Sequence, residues 1–419
     1  MKNTRNKADT ELVRQQNRSL VLETLRHSGT LASIELGEKT GLSPATISAI
    51  TNDMLAERLI ESDKAETEKH RNTQRGRPKV KLKLAENAAR MLGIRLTHNA
   101  LSLTIADFCG NILARHNDAI ETASLSAEAF GVVIVDSALA FLENNHLSAD
   151  HISIISVACQ GSVDARRGSI IWSPAFSARN IPVAAPLMDV LNAPCLVAND
   201  TNAIAHLLHV EDETLDDSFA VFYLGSGIGL GLYVNGDLLE GAEGSASEFG
   251  HMLLEADGAL CRCGRRGCIE AYASDFGIMR LANEKLAELD PADITPSQED
   301  MDKLAALARD GDDAAKQAFH KAGMALGTGL GNLIMLANPK NLLFTGPGVK
   351  HFDLLEPAVH KALEHAARNG HQPKMSMIDD SRDLIESGLL ALGYTKLDRE
   401  IFAKRVSIAD VAARNSMIG

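Results

Sequence analysis

The sequence is poor in cysteine and contains no long apolar run. No stretch of about 18 apolar residues occurs in the 419-residue chain, so nothing in it reads as a membrane-spanning helix. The opening segment, MKNTRNKADTELVRQQ, is polar throughout and lacks the apolar core of a secretory signal. A cytoplasmic protein with reduced thiols is the expectation, and this argues against pairing its six cysteines as disulfides. Short-period repeats and low-complexity segments are missing too. An apolar fraction of 45% is ordinary for a globular chain, and the length allows two or three domains.

The residues that are present are unevenly spread. Residues 1–84 carry 16 Lys/Arg against 11 Asp/Glu, while the remainder carries 26 against 44. A basic head on an acidic body points to a polyanion, such as DNA, meeting the head alone. Within the head, NRSLVLETLRHSG (17–29) has Leu20, Val21 and Leu25 at helical spacing. A second helical stretch has Leu31, Ile34 and Leu36 as its apolar side and stops at Gly41. A third opens with Ser43 as N-cap and Pro44 at the first helical position. Its Ile47, Ile50 and Met54 make one face, leaving Ser43, Thr46, Ser48 and Asn52 to reach base edges in a major groove. RGRPKVKLKL (75–84) then places Arg75 and Arg77 in an extended element suited to a minor groove. The alternation of Lys79, Lys81 and Lys83 with Val80, Leu82 and Leu84 predicts a wing strand paired with RLIES.

From about residue 88 strand and helix signals alternate, as in a mixed α/β protein. MLGIRL, LSLTIADF, NILARH, HISIISVA and PCLVAND read as strands, and TNAIAHLLH as a helix. SFAVFYLGSGIGLGLYVNG reads as strand, glycine turn and strand. NLLFTG is expected to be the last strand. The pieces near 90–115 and 219–240 hint at two similar halves. GSGIGLG (225–231) is either a ligand-holding glycine loop or a tight β-turn. Asp200 ends a strand, a usual place for a functional carboxylate in such folds.

Half of the cysteines fall within CRCGRRGCIE (261–270). Cys261, Cys263 and Cys268 offer three thiolates, and His251, ten residues upstream of Cys261, supplies a fourth ligand for a tetrahedral zinc ion with no open position. Such a zinc is structural. Arg262, Arg265 and Arg266 would offset the negative charge of that centre. Glu248 and Glu270 flank the cluster and would be held in place by it. Cys109, Cys159 and Cys195 sit in apolar settings and read as inert.

The stretch GSGIGLGLYVNGDLLEGAEGSASEFGHM followed by CRCGRRGCIEAYAS resembles the ROK family of sugar kinases and sugar-responsive repressors. The head with its GRP element resembles the repressor branch, which includes the N-acetylglucosamine, glucose and xylose repressors. The resemblance runs from about residue 15 to about 393. It implies a winged helix-turn-helix domain (1–85), an actin-like, duplicated ribonuclease-H-like body of two lobes around a sugar cleft (86–393), and a C-terminal tail (394–419). His251, Cys261, Cys263 and Cys268 would be the zinc ligands. Asn199, Asp200, Glu248, His251 and Glu270 would bind sugar hydroxyls, Asp200 matching the kinase branch's general base. A homodimer, or a tetramer, on a palindromic operator is implied as well, with a sugar or sugar derivative as effector.

Three departures matter. Family kinases begin the body with a D-x-G-G-T loop that receives ATP phosphates, but LGIRLTHNAL has Arg95 for the aspartate and Thr97–His98 for the glycines. Bulky side chains deny phosphates the close backbone approach that glycine permits. Leu96, Thr97 and His98 are expected to fill nucleotide space. In SPAF (173–176), Ala175 stands where the family often has a sugar-binding asparagine. Pro347 likewise replaces a usual glycine of the nucleotide side. The expectation is a sugar-sensing repressor without kinase activity, Asp200 being a vestigial base. A carbohydrate kinase with a DNA-binding head, and a regulator whose effector is another protein, are the competing readings.

Overall fold

The computed structural model describes residues 2–63, 80–242, 244, 245, 247–366, 373–378 and 383–408. Three helices open the head: α1 (Lys2–Ser28), α2 (Ser33–Thr40) and α3 (Pro44–Ala56). Helix α1 begins well before the 17–29 stretch that apolar spacing marks, since residues 11–16 just ahead of it are exposed or half-exposed and leave no buried side to reveal it. The Ser43 hydroxyl accepts the Thr46 N–H at 3.2 Å, the N-cap that Ser43-Pro44 predicts. Strands β1 (Leu31–Ala32), β2 (Ile60–Ser62) and β3 (Lys81–Leu84) form a sheet of order β1-β3-β2. Leu82 and Leu84 of β3 are buried while Lys81 and Lys83 are partly open. Pairing of Ile60 with Leu84 and Ser62 with Leu82 makes the wing. Two expectations need correction. Leu31 belongs to β1 rather than to a helix, and Ile34 is 59% exposed, because the short α2 turns only Leu36 inward. Arg75 and Arg77 lie outside the described residues.

The body repeats one topology twice. In the first lobe β4 (Arg90–Thr97), β5 (Ala100–Asp107) and β6 (Ile112–Ala119) form an antiparallel meander, and β7 (Ile154–Cys159) and β11 (Cys195–Asn199) add in parallel to β4. The second lobe does the same with β12 (Phe219–Leu224), β13 (Ile228–Val234) and β14 (Asp237–Leu238), extended in parallel by β15 (Asn341–Thr345) and β16 (Lys374–Met377). The sheet orders are β11-β7-β4-β5-β6 and β14-β13-β12-β15-β16. Read from the β6 and β14 edges, each runs third, second, first, fourth and fifth in the chain order of its own sheet, so the hint of two similar halves is a true duplication. A strand therefore follows NLLFTG, which apolar pattern alone misses because KMSM is half-exposed at the sheet edge. A smaller sheet of β8 (Ser162–Asp164), β9 (Ser169–Trp172) and β10 (Ile181–Pro182) hangs from the first lobe.

Helices fill both faces of each sheet, which is why β7 and β12 read as continuous apolar runs. Helices α4 (Ala127–Asn144) and α5 (Ala184–Leu191) close one face of the first lobe, and α6 (Asp200–Glu211) follows β11 directly. Helices α7 (Glu270–Ala273), α8 (Asp275–Ala282), α9 (Gln298–Asp310), α10 (Asp313–Ala337) and α11 (Phe352–Ala366) belong to the second lobe. Helix α12 (Leu384–Lys396) returns to the first, packing on α6, β4 and β7. Since α6 also lies against β13, it sits between the lobes. That contact accounts for two glycines of GSGIGLG: a Cβ on Gly229 would lie 2.0 Å from Thr201 Oγ1, and one on Gly231 2.5 Å from the Ala205 Cβ. Leu96 is buried in the first-lobe core and takes no nucleotide space, contrary to expectation.

The junction with the head falls where the sequence reading places a tail. Helix α12 runs through residue 394 and continues as a π-helical turn, Leu397–Phe402. Asp398, 1% exposed, accepts from Arg26 Nε and Nη2 at 3.1 and 3.0 Å, and the Arg26 guanidinium lies over the Phe108 and Tyr394 rings. Arg18 donates to the Phe402 carbonyl and pairs with Glu57, while Arg405 reaches Asp53 and Glu57 of the α3 segment. The sequence reading missed this clasp because each partner looks like an ordinary surface charge. Residues 409–419 lie outside the described residues, and among those described no helix is long and apolar enough to cross a membrane. Removing one partner of a buried pair strands the other, a loss of about 3–5 kcal/mol. Asp398→Ala is expected to lower stability by that amount in urea titrations, and the double change Arg26→Met with Asp398→Leu to restore most of it. Equal loss in both variants would show that the charges themselves are not what holds the head.

Candidate functional site

A cleft of about 620 Å³, counted with its open mouth, lies between the lobes. Asn199, Asp200, Glu248, His251 and Glu270 all line it, so the structure brings together five residues scattered over 72 positions of chain. Asn199 caps α6, its Oδ1 accepting the N–H groups of Thr201 and Asn202 at 2.8 and 3.3 Å, while its Nδ2 donates to the Gly161 carbonyl. Most of its amide is thus spent on holding the cleft floor. Asp200 receives the Thr201 N–H and hydroxyl on Oδ1, which leaves Oδ2 as an acceptor. Burial pushes its carboxyl up to about 6, against the pull of Thr201 and Arg95.

The opposite wall belongs to the second lobe. Glu270, the first residue of α7, accepts the Ile228 N–H on Oε2 and faces the Cys261 thiol with Oε1. The Glu248 carboxyl is raised by burial, against the pull of His251 and the Ser162 hydroxyl. His251 lies between two surroundings: Nδ1 is 3.7 Å from Cys261 Sγ and Nε2 is 3.8 Å from Glu248.

His251, Cys261, Cys263 and Cys268 place their ligand atoms within 4.8 Å of one another. A tetrahedral ion with metal–sulfur bonds of about 2.3 Å needs sulfur–sulfur edges of about 3.8 Å, and Cys263 and Cys268 stand 3.7 Å apart. The donor set fits a metal ion. The hydrogen bond shared by Cys261 and Cys263 drives their thiols in opposite directions, Cys261 up and Cys263 down. Backbone pairing of Leu253 with Cys268 and of Leu260 with Arg266 shapes the knot. Gly267, at φ 76°, passes so close to the Glu255 carbonyl that a Cβ would overlap it. Arg262 donates to the carbonyls of Ser226, Pro291 and Ile294, tying the knot to the glycine turn; Arg265 is drawn to Cys263. The other three cysteines are free, and burial pushes the thiols of Cys195 (to about 12), Cys159 and Cys109 up, as inert core residues require.

Arg95, at the end of β4, donates to Asp383 at 2.7 Å, so the position of the missing aspartate holds a paired cation. Pro347 packs on Gly225 at the matching turn of the second lobe. Ala175 is buried beside Phe176 and offers the cleft nothing. Sequence reasoning missed Gln160, Trp172 and Pro174, which also line the cleft. Gln160 follows strand β7, so the strand-end rule that selects Asp200 would have found it. In the head, Ser43, Ser48 and Asn52 are exposed on α3, and Thr46, half-buried, bonds the Ser43 hydroxyl at 2.9 Å.

A model of the ROK family matches residues 91–390. The chain belongs to the ROK family. It is 26% identical to the xylose repressor of Bacillus spizizenii over 338 residues, spanning 80% of this chain and 83% of that repressor. Among solved structures it superposes on a ROK family transcriptional regulator, a homologue of the Escherichia coli MLC protein, with a TM-score of 0.74 and 21% identity, over 97% of this chain and 100% of that one. It also superposes on a ROK hexokinase from Thermus thermophilus, with a TM-score of 0.57 and 22% identity, over 73% of this chain and 97% of the hexokinase. Both likenesses fix the ROK fold, actin-like and duplicated, on which this chain carries a winged helix-turn-helix head.

A carboxyl near 6 in the folded ROK body and near 4 in the unfolded chain costs stability once pH rises through that window, and nothing below it. Asp200→Asn is therefore expected to raise the melting temperature at about pH 8 and leave it unchanged near pH 3.5, read by calorimetry. The same gain at both ends would mean that the carboxylate is not the strained group.

Proposed function

We propose that this protein is a DNA-binding transcriptional repressor whose kinase-like cleft senses a sugar or sugar derivative and does not phosphorylate it. One observation carries the reading. The acceptor groups of the cleft are retained, while Arg95, paired with Asp383, stands where ATP phosphates would need a glycine loop and a magnesium-binding carboxylate. The MLC homologue supports it by its likeness over 97% of the chain, head included, and the xylose repressor by its likeness over 80% of the chain. Asn199, Asp200, Glu248, His251 and Glu270 read the hydroxyls. Ser43, Thr46, Ser48 and Asn52 face the major groove, with Arg75 and Arg77 in the minor groove. The protein works in the cytoplasm as a homodimer, or as a tetramer, on a palindromic operator.

His251 Nδ1 with Cys261, Cys263 and Cys268 would hold one zinc ion per chain, its part being to fix the loop that carries Glu248 and Glu270. Helix α12 offers the physical route from sensor to head. Its N-cap Asp383 accepts from Arg95, the helix packs along α6 where Gly388 meets Ala203 and Thr395 meets His206, and the turn that follows it carries Asp398 onto Arg26. A ligand that closes the lobes on α6 would therefore move the element to which the head is clasped.

The deciding experiment joins a thermal-shift screen of monosaccharides and phosphosugars with operator binding. A sugar that stabilises the protein and changes its operator affinity supports the reading. Stabilisation by no sugar would leave a protein effector as the alternative. Coupled ADP release of about 1 s⁻¹ or more with magnesium, abolished by Asp200→Asn, would make it a carbohydrate kinase instead. Cys263→Ser is expected to lose both the metal, by elemental analysis, and the sugar response. Replacing Arg75 and Arg77 by Ala is expected to weaken operator binding and flatten its salt dependence by a slope of about 2. Changes at Thr46 or Ser48 should shift sequence preference instead.

A further inference from the structure

The chain has a single tryptophan among its 419 residues, and that residue stands half-exposed at the cleft rather than in a core. Trp172 ends β9, a strand of the small sheet that overhangs the first-lobe side of the site. Its ring meets the His251 ring edge to face, centroids 5.4 Å apart at 72°. Since His251 is held by the cysteine knot, the indole is fixed from across the cleft. The indole belongs to none of the apolar clusters that form the cores of the lobes.

The residues after it sharpen the point. Ser173 and Ala175 are both buried, and the Ser173 hydroxyl is spent on the Ala175 N–H at 3.2 Å. Pro174, between them, lines the cleft. This stretch therefore gives the cleft an indole and a pyrrolidine ring, with no hydroxyl or amide side chain. The second-lobe wall is the reverse: Glu248 and Glu270 offer carboxylate oxygens, and Asp200 adds another from the cleft floor. The site is amphipathic, with one flat apolar wall and one acceptor-rich wall. A pyranose ring has the matching division, a face of C–H bonds and an edge of hydroxyl donors.

We propose that Trp172 is a specificity-determining stacking wall, and that the effector is a cyclic pyranose laid with its C–H face against the indole and its hydroxyl edge towards the carboxylates. The inference rests on the sugar-sensor reading and deepens it. Open-chain polyols carry the same hydroxyls but no rigid apolar face, so the wall excludes them.

Because the chain has one tryptophan, its emission reports this wall alone. Natural protein is titrated with glucose, xylose and N-acetylglucosamine, and with the open-chain alditols glucitol and xylitol, following tryptophan emission and melting temperature in parallel. A pyranose that raises the melting temperature is expected to change the emission with the same midpoint, and its alditol to do neither. Trp172→Ala should weaken that sugar about tenfold or more, and Trp172→Phe, which keeps a flat ring, by less than about threefold. The fluorescence arm needs no variant, so a poorly folded Trp172→Ala does not decide the matter. If a pyranose stabilises the protein while the emission stays constant, or its alditol binds equally well, the stacking wall is wrong and the sensor reading stands. If no sugar stabilises the protein, the sensor reading fails and takes this inference with it.

Discussion

The carboxylates of the second-lobe wall, Glu248 and Glu270, flank four ligand atoms lying within 4.8 Å of one another. Among the described residues between Leu238 and Glu270 the chain forms no strand or α-helix, only the short turn Phe249–His251 and two isolated β-bridges. Loops of that length without structure of their own are rare in a compact domain. Phe249 and Ile269 anchor this one in the second-lobe core, while Cys261 and Cys268 form a small separate cluster with Ala271. A metal ion held by the sulfur and imidazole groups would fix the stretch between those anchors, and Glu270 would extend that hold to the glycine turn through the Ile228 N–H. Arg262 carries it further, to Ser226 and Pro291. Under the proposed zinc reading, geometry on this side would be set largely by coordination chemistry, while the first-lobe side is set by a strand end and a helix cap.

That contrast bears on how one fold serves both kinases and regulators. Asp200 keeps what a general base needs: a half-buried place at a helix start and a carboxyl raised towards neutrality. A base contributes little when nothing seats the phosphates, because phosphoryl transfer depends on positioning and on charge neutralisation. Arg95 takes that seat from inside, and its pairing with Asp383 leaves the position neither open nor anionic. In the proposed sensor the retained carboxylates would act as hydrogen-bond acceptors.

Much of this was legible in the sequence where chemistry demands particular residue types at fixed spacing. Three thiols and a histidine, a carboxylate closing an apolar strand, and Ser43-Pro44 at a helix start each have a local reason, and each is found where that reason puts it. What could not be read depends on tertiary approach. GSGIGLG is left open between a ligand loop and a tight turn because sequence does not show Thr201 and Ala205 lying across Gly229 and Gly231, nor Gly227 and Gly229 lining the cleft. Leu96 looks like an obstacle to nucleotide until β4 turns it into the core. Arg26 and Asp398 stand 372 positions apart, and neither hints at the other. Trp172 faces the site only because β9 belongs to a sheet too small for its pattern to be noticed.

The junction between head and body has a mechanical meaning. Val21 and Leu25 of α1 share one continuous core with Phe108 of the first lobe and with Tyr394, Leu397 and Ile401 of the C-terminal segment. A head on a flexible tether would sample orientations freely and be diluted over all of them. Here any reorientation must first uncover apolar surface that is now dry, so intermediate angles are disfavoured and the head has only a few discrete seats. The reach and angle of α3 are thereby properties of the folded body, set before the protein meets any partner.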